Sequence, residues 1–358
     1  MDEKAYWTAV NSVLGMHPGL FFRLKDHFGS IKAVWDATEE ALEESGRIRP
    51  AELKNLVDAR AGRADGELKA AEENGIKVIT LEEDGYPAPL RELSDPPPVL
   101  YIRGEWREGD ERAVAIVGSR RCTQYGRDIA EEIAGGLARA GVTVVSGLAY
   151  GIDARAHRGA LGAGGRTAAV LPSGMLNIQP QSNAGLAEEI AGSGCLISEF
   201  SLGKRPEKWD YVRRNRLISG LSMGTVVIEA PEGSGALITA KHAAEQGRAV
   251  FGVPGNVRSD ANRGTHALIR DGAVLVESAE QVLEALELGP KQGELPLEVD
   301  LDERHGRVFD LIRYEPQVFD NICIETSFGA GEISVILLSL EMKGLIKQLP
   351  GKMYVRRR

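Results

Sequence analysis

An alternation constrains this chain more than any other feature. Between about residue 67 and residue 288, short apolar runs rich in β-branched residues take turns with helical stretches. The runs are KVIT, VLYIRG, AVAIVGS, VTVVSG, TAAVLP, CLISE, GTVVIEA, AVFGVPG and AVLVES. Helical segments at about 125–140, 153–161 and 236–246 follow several of them. A strand that is apolar at every position must be covered on both faces, and a helix between successive strands makes them run parallel. The expected fold is α/β, an extended Rossmann-like, mostly parallel sheet with helices on both faces. Ligand sites in such a fold lie at the carboxyl ends of the strands.

Two further architectures flank the α/β domain at 67–288. Residues 1–66 show apolar residues at helical spacing in AYWTAVNSVL, GLFFRLKDHF and IKAVWDATEEALEES, punctuated by GMHPG and FGS. This reads as a small helical domain of SAM or helix-hairpin-helix character. Its acidic balance favours packing or a partner over DNA backbone. Residues 289–300, rich in Pro, Gly and charge, read as a linker. Residues 301–358 read as three helices followed by two short strands around a Pro-Gly turn, a winged helix.

Charge excludes a globally basic nucleic-acid binder. The formal net charge is −9, with 14 basic and 22 acidic side chains in residues 1–110 but 19 of each in residues 111–290. Any anion site must therefore be a local cluster. The cysteines Cys122, Cys195 and Cys323 are far apart and form no C-x-x-C pair, which argues against a disulfide framework or a zinc knuckle. No metal site is expected. With no basic start and no apolar stretch of membrane-spanning length, the chain is expected to be cytoplasmic and to have no membrane partner.

Three turns carry the candidate chemistry. In AIVGSRRCTQYG, a strand passes through Gly118, Ser119 and Arg120 into a helix that begins near Tyr125. Gly118 would let the backbone turn. Ser119 and the free N–H groups of the turn would meet phosphate oxygens, helped by the helix dipole, and Arg120 would add a bidentate clamp. In KWDYVRRNRLISGLS, Lys208, Arg213, Arg214, Asn215 and Arg216 lead into a helix expected over 217–222. Cations at a helix start oppose the macrodipole, so an anion is expected there, although one arginine could instead pair with Glu199 or Glu229. Trp209 and Tyr211 suit stacked bases and suit ordinary core equally. The third turn, EGSGALITAK, places Ser234 at a helix start and Thr239 and Lys241 within the helix, where N–H groups and hydroxyls could face an anion.

The same motifs exclude much. There is no G-x-G-x-x-G, no acidic residue after the second strand and no Walker A loop, so no nucleotide cofactor is expected. Ser146, Asp153 and His157 have the residue types of a triad but not its elbow. Asp153 is expected to cap a helix and His157 to pack on the sheet.

Taken in order, VGSRRCTQYG, VVSGLAYGIDARAH, LISEF, RNRLISGLS, VVIEAPEGSGALITAKHAAEQGR and VFGVPGN…GTHALIRDGAVLV strongly resemble the DprA/Smf family of bacterial DNA-processing proteins. The resemblance implies a non-enzymatic homodimer that binds single-stranded DNA, protects incoming strands and loads RecA in natural transformation, displacing single-strand-binding protein. It implies a DNA pocket built on Arg120, Lys208, Arg214 and Arg216, with Gly118 and Ser119 as backbone donors. The chain departs from the family pattern at Pro172, Asn177 and Gln179, and at Tyr211–Val212 ahead of R-N-R. A contact from the loop 172–183 is therefore in doubt.

The residues bear on two other functions. Nucleotide phosphoribohydrolases of Rossmann-like fold carry a Gly-rich helix start with Gly-Thr and Glu, which PEGSGALITA lacks. A scaffold role through the winged helix would rest on GEISVILLSLEMKG, whose large polar or flexible candidates are only Glu332, Glu341, Met342 and Lys343. That set favours protein contact or autoregulation over duplex reading, and a solvated tail is expected for Arg356–Arg358.

Overall fold

The computed structural model describes residues 3–14, 18–60, 65–288, 301–313, 316–326 and 328–356. The expected linker at 289–300 lies outside the described residues. Contacts divide the chain into two compact units, Met1–Gly289 and Pro290–Arg358.

The first unit holds a nine-stranded sheet among the described residues. Its strands are β1 (Lys77–Thr80), β2 (Val99–Gly104), β3 (Ala113–Val117), β4 (Thr143–Ser146), β5 (Thr167–Val170), β6 (Cys195–Ser198), β7 (Gly224–Val227), β8 (Ala249–Gly252) and β9 (Val274–Leu275). Each falls within one of the apolar runs of the sequence. The order is β1-β2-β6-β5-β4-β3-β7-β8-β9. β1 pairs antiparallel with β2, and β2 antiparallel with β6. Every other pairing is parallel. Residues of β3 to β7 are buried throughout, as a sheet covered on both faces requires.

The helices at the amino end have no core to themselves. Ser30 and Thr38 cap two of them, accepting from the amides of Ala33 and Ala41. Trp7, Phe21, Leu24 and Ile31 then join Val78, Tyr101, Leu148 and Leu171 in one apolar cluster. The expected boundary near residue 66 thus marks a change of architecture within a shared core. Lys4 crosses it to pair with Glu83 at 2.8 Å.

In the second unit, helices Glu303–Leu311, Phe319–Thr326 and Ala330–Met342 pack on a small sheet of β10 (Gln317–Val318), β11 (Ile346–Leu349) and β12 (Met353–Arg356), in the order β10-β12-β11. The unit is a winged helix centred on Val308, Ile322, Ile336 and Leu340. Sequence pattern missed β10, which is too short to show a period. Among the described residues no single helix is long and apolar enough to cross a membrane.

Candidate nucleic-acid interface

The sheet has one point where its winding reverses. From β3 the chain proceeds through β4 and β5 to β6 on one side, while β7 starts beside β3 and leads to β8 and β9 on the other. Connections leaving β3 and β7 diverge, and the carboxyl ends of these strands frame a crevice. Its volume is about 530 Å³, and its walls include Gly118, Ser119, Arg120, Asp153, Lys208, Tyr211, Arg214, Asn215, Ser234 and Thr239.

The first wall is the exit of β3. A Cβ on Gly118 would fall 2.6 Å from the Ile152 side chain, so glycine is required here by close approach. The Ser119 amide donates to the Glu229 carbonyl at 2.7 Å, and the Arg121 amide donates to Ser119 Oγ at 3.1 Å. The expectation that Ser119 offers a free amide therefore fails, and its hydroxyl remains. The helix beyond, Gln124–Arg139, is capped by Thr123. Fully buried Glu229 accepts from the Thr123 amide at 2.8 Å and its hydroxyl at 2.6 Å. A carboxylate of the chain itself thus occupies the helix end where a phosphate was expected. Arg120 is exposed, and its guanidinium lies 4.9 Å from the centre of the Tyr211 ring. No carboxylate pairs with Arg120 among the described residues.

The second wall is the helix Lys208–Gly220, which starts nine residues earlier than the expected 217. Asp210 accepts from the Glu207 amide at 2.7 Å and fixes the start. The R-N-R cluster is consequently mid-helix, and its cations do not oppose a helix start as expected. Lys208, Tyr211, Asn215 and Ile218 recur every three or four residues, so all four face the crevice.

Arg214 reaches underneath that face. It is 3% exposed, and Nη1 donates to the carbonyls of Gly147, at 2.8 Å, and Val170. Burial pushes its pKa down to about 10, with Asp153 pulling it up and Arg120 pushing it further down. Asp153 accepts from the amides of Gly147 at 3.1 Å and Ala149 at 3.4 Å. Burial raises its carboxyl, against the pull of Arg214. Asp153 therefore orders the turn after β4; it does not cap its helix, whose N-cap is Gly151. Leu148 in that turn has φ of 57°, a left-handed conformation held by these contacts. Thr239 lines the crevice, as the third turn led one to expect of its hydroxyl, whereas Asp153 was not expected there.

Four expected site residues lie elsewhere. Arg216 is buried, 2.5 Å from Glu199 and 3.2 Å from Asp95. Arg213 joins the same carboxylate at 3.2 Å and lies over Phe200. Both are therefore neutralised inside the fold. Tyr125 donates its hydroxyl to the Pro254 carbonyl at 2.7 Å. Lys241 points to solvent and pairs with Glu245 at 3.7 Å.

The third wall follows β7. Ser234 caps the helix Gly235–Glu245, accepting from the Ala236 amide at 3.3 Å. Asn215 Nδ2 donates to the Gly235 carbonyl at 3.2 Å and ties this wall to the second.

Ser146, Asp153 and His157 do not form a relay. The Ser146 hydroxyl donates to the Ile116 carbonyl at 2.6 Å, and His157 Nδ1 meets Thr167 Oγ1 at 2.7 Å. Burial holds the His157 imidazole down at about 3. No group of His, Cys, Asp and Glu among the described residues could hold a metal.

The crevice thus assembles cations, hydroxyls and a stacked ring at one strand-end position, which suits a phosphate-linked, aromatic ligand. Residues 77–287 match the family model for DNA recombination-mediator protein A, and residues 292–352 match the DprA winged helix domain. Protein Smf of Synechocystis is 35% identical, covering 99% of both chains. DNA processing protein DprA of Bacillus subtilis is 39% identical over 67% of this chain and 81% of its own. The X-ray structure of DprA from Streptococcus pneumoniae superposes with a TM-score of 0.68 at 30% identity, over 79% of this chain and 98% of that one. A Helicobacter pylori DprA structure, described for its single-stranded DNA binding mode, gives a TM-score of 0.53 at 30% identity, over 59% and 96%. With both modules matched in order and a relative aligned along nearly its whole length, this chain belongs to the DprA/Smf family of DNA-processing proteins.

Proposed function

We propose that this protein is a recombination mediator that grips single-stranded DNA in the crevice between β3 and β7. In this reading it protects incoming strands and passes them to RecA, displacing single-strand-binding protein. It works as a cytoplasmic homodimer in natural transformation, without cofactor or catalytic step. The observation that carries the reading is the convergence of Arg120, Lys208 and buried Arg214 around Tyr211 in one crevice. Arg120 and Lys208, each without a carboxylate partner among the described residues, take phosphate. Tyr211 takes the face of a base, and stacking tolerates any sequence. Arg214 braces the floor through main-chain carbonyls. Acidic surface elsewhere keeps the interaction local.

The test is binding of oligothymidylate at two salt concentrations. Arg120→Ala weakens binding and lowers the salt slope by about 0.7, the share of one phosphate contact on a single strand. Unchanged affinity and slope would sink the proposal. A gel shift against duplex, with sedimentation of the free protein, tests strand preference and the homodimer. Strand transfer to RecA on oligonucleotides coated with single-strand-binding protein tests the mediator step.

A further inference from the structure

Arg120 also forms part of a second concavity, which shares this residue with the crevice. This groove has a volume of about 360 Å³ and is lined by Arg120, Arg121, Arg127, Arg155, Arg158 and Tyr150. Five arginines there face no carboxylate within the lining. Arg155 pairs with Glu131 at 2.6 Å outside it. Arg127 is held by the Cys122 carbonyl and Gln124. Arg121 and Arg158 are exposed and carry no pairing among the described residues. Tyr150 is 51% exposed, its hydroxyl accepting from Ser182 at 3.2 Å. The turns that supply these residues are stitched together, the Ile152 amide donating to the Ser119 carbonyl at 3.2 Å. The groove floor is therefore continuous with the wall that carries Arg120.

Neutral overall charge across 111–290 makes such a concentration of cations unexpected without an anionic ligand. Its shared residue with the crevice, its open cations and its half-exposed ring are the parts of a track for unpaired nucleic acid. We infer that the groove takes the nucleotides of the same single strand that flank those in the crevice. Arg121 and Arg158 bind successive phosphates, and Tyr150 offers a second stacking platform. This rests on the reading of the crevice as a single-strand site.

The experiment compares oligothymidylates of about 4, 8 and 16 nucleotides, a range spanning known single-strand site sizes, on the full chain. Wild type gains affinity with length. The double variant Arg121→Ala/Arg158→Ala binds the shortest oligomer as wild type does. On the longest it loses roughly tenfold in affinity and about 1.4 in salt slope, two phosphate contacts' worth. Tyr150→Ala gives the same length-dependent loss without the change in slope. Retained binding of the shortest oligomer shows that the variants fold. Wild-type behaviour at all lengths or equal loss at all lengths overturns the groove. If Arg120→Ala is silent as well, the crevice reading fails with it; if Arg120→Ala abolishes binding while the groove variants are silent, only the groove fails.

Discussion

The guanidinium of Arg216 stands 2.5 Å from the carboxylate of Glu199, and the two residues are 6% and 2% exposed. The pair joins the helix of the second wall to the end of β6. Arg216→Ala leaves a buried carboxylate with Arg213 as its remaining cation. It is expected to lower the unfolding free energy by about 3 kcal/mol, read by urea denaturation. Salt dependence of oligothymidylate binding should not move. A drop in slope equal to that of Arg120→Ala would return Arg216 to the DNA contacts.

Gly147 has no room for a side chain. A Cβ there would lie 2.5 Å from the Arg214 guanidinium, which the Gly147 carbonyl also anchors. Gly147→Ala is expected to push Arg214 out of its seat, at a cost of about 1–3 kcal/mol, and to weaken oligothymidylate binding. Thermal melting and a binding isotherm on the same preparation check both. A variant with unchanged melting and affinity would mean that the crevice floor yields.

Tyr211 separates stacking from hydrogen bonding. Tyr211→Phe keeps the ring beneath Arg120 and should bind like wild type. Tyr211→Ala should lose about 1–3 kcal/mol of binding, the contribution of one stacked base. Equal losses for the two would assign the effect to the hydroxyl.

His157 sets an acid limit. Its pKa falls from the ordinary 6.5 to about 3 in the fold, because burial penalises the cation and Arg214 repels it. A depressed histidine gives its full stabilisation above 6.5, and that stabilisation is lost as pH falls toward 3. Between pH 6.5 and about pH 5 the loss is about 2 kcal/mol. His157→Asn should flatten this part of the stability profile relative to wild type. Parallel profiles would show that the imidazole is not the group responsible.

Every crevice residue belongs to the first compact unit. A chain ending at Leu288 should therefore keep wild-type affinity for oligothymidylate. A tenfold loss would give the winged helix a share in strand binding.

All nine strands of the large sheet were legible because each is a short apolar run bounded by glycine or a charged turn. The rule that sites gather at strand ends gave the side of the sheet, while the grouping of Gly118, Arg120, Lys208 and Arg214 in one pocket came from the family resemblance, which also included Arg216. Less legible was the helix Lys208–Gly220, since its first turns are polar and their face looks into a crevice instead of a core. The spacing of Glu207 and Asp210 was the available signal for its start. Arg216 could not be sorted from Arg214 by sequence. Both sit in one tripeptide, and their partners lie far along the chain, at Asp95 and Glu199 for one and Gly147 for the other. Which face of a helix an arginine takes depends on phase, and a helix start misplaced by nine residues loses the phase.

The crevice is walled by connections that leave β3, β4, β6 and β7, so an occupant clasps segments drawn from across the first unit. Such an occupant cannot be kept by a partly unfolded chain. At a free concentration a hundredfold above Kd, capture would add about 2.7 kcal/mol to native stability. The melting temperature of the sheet would thereby be a label-free gauge of how far the crevice is filled.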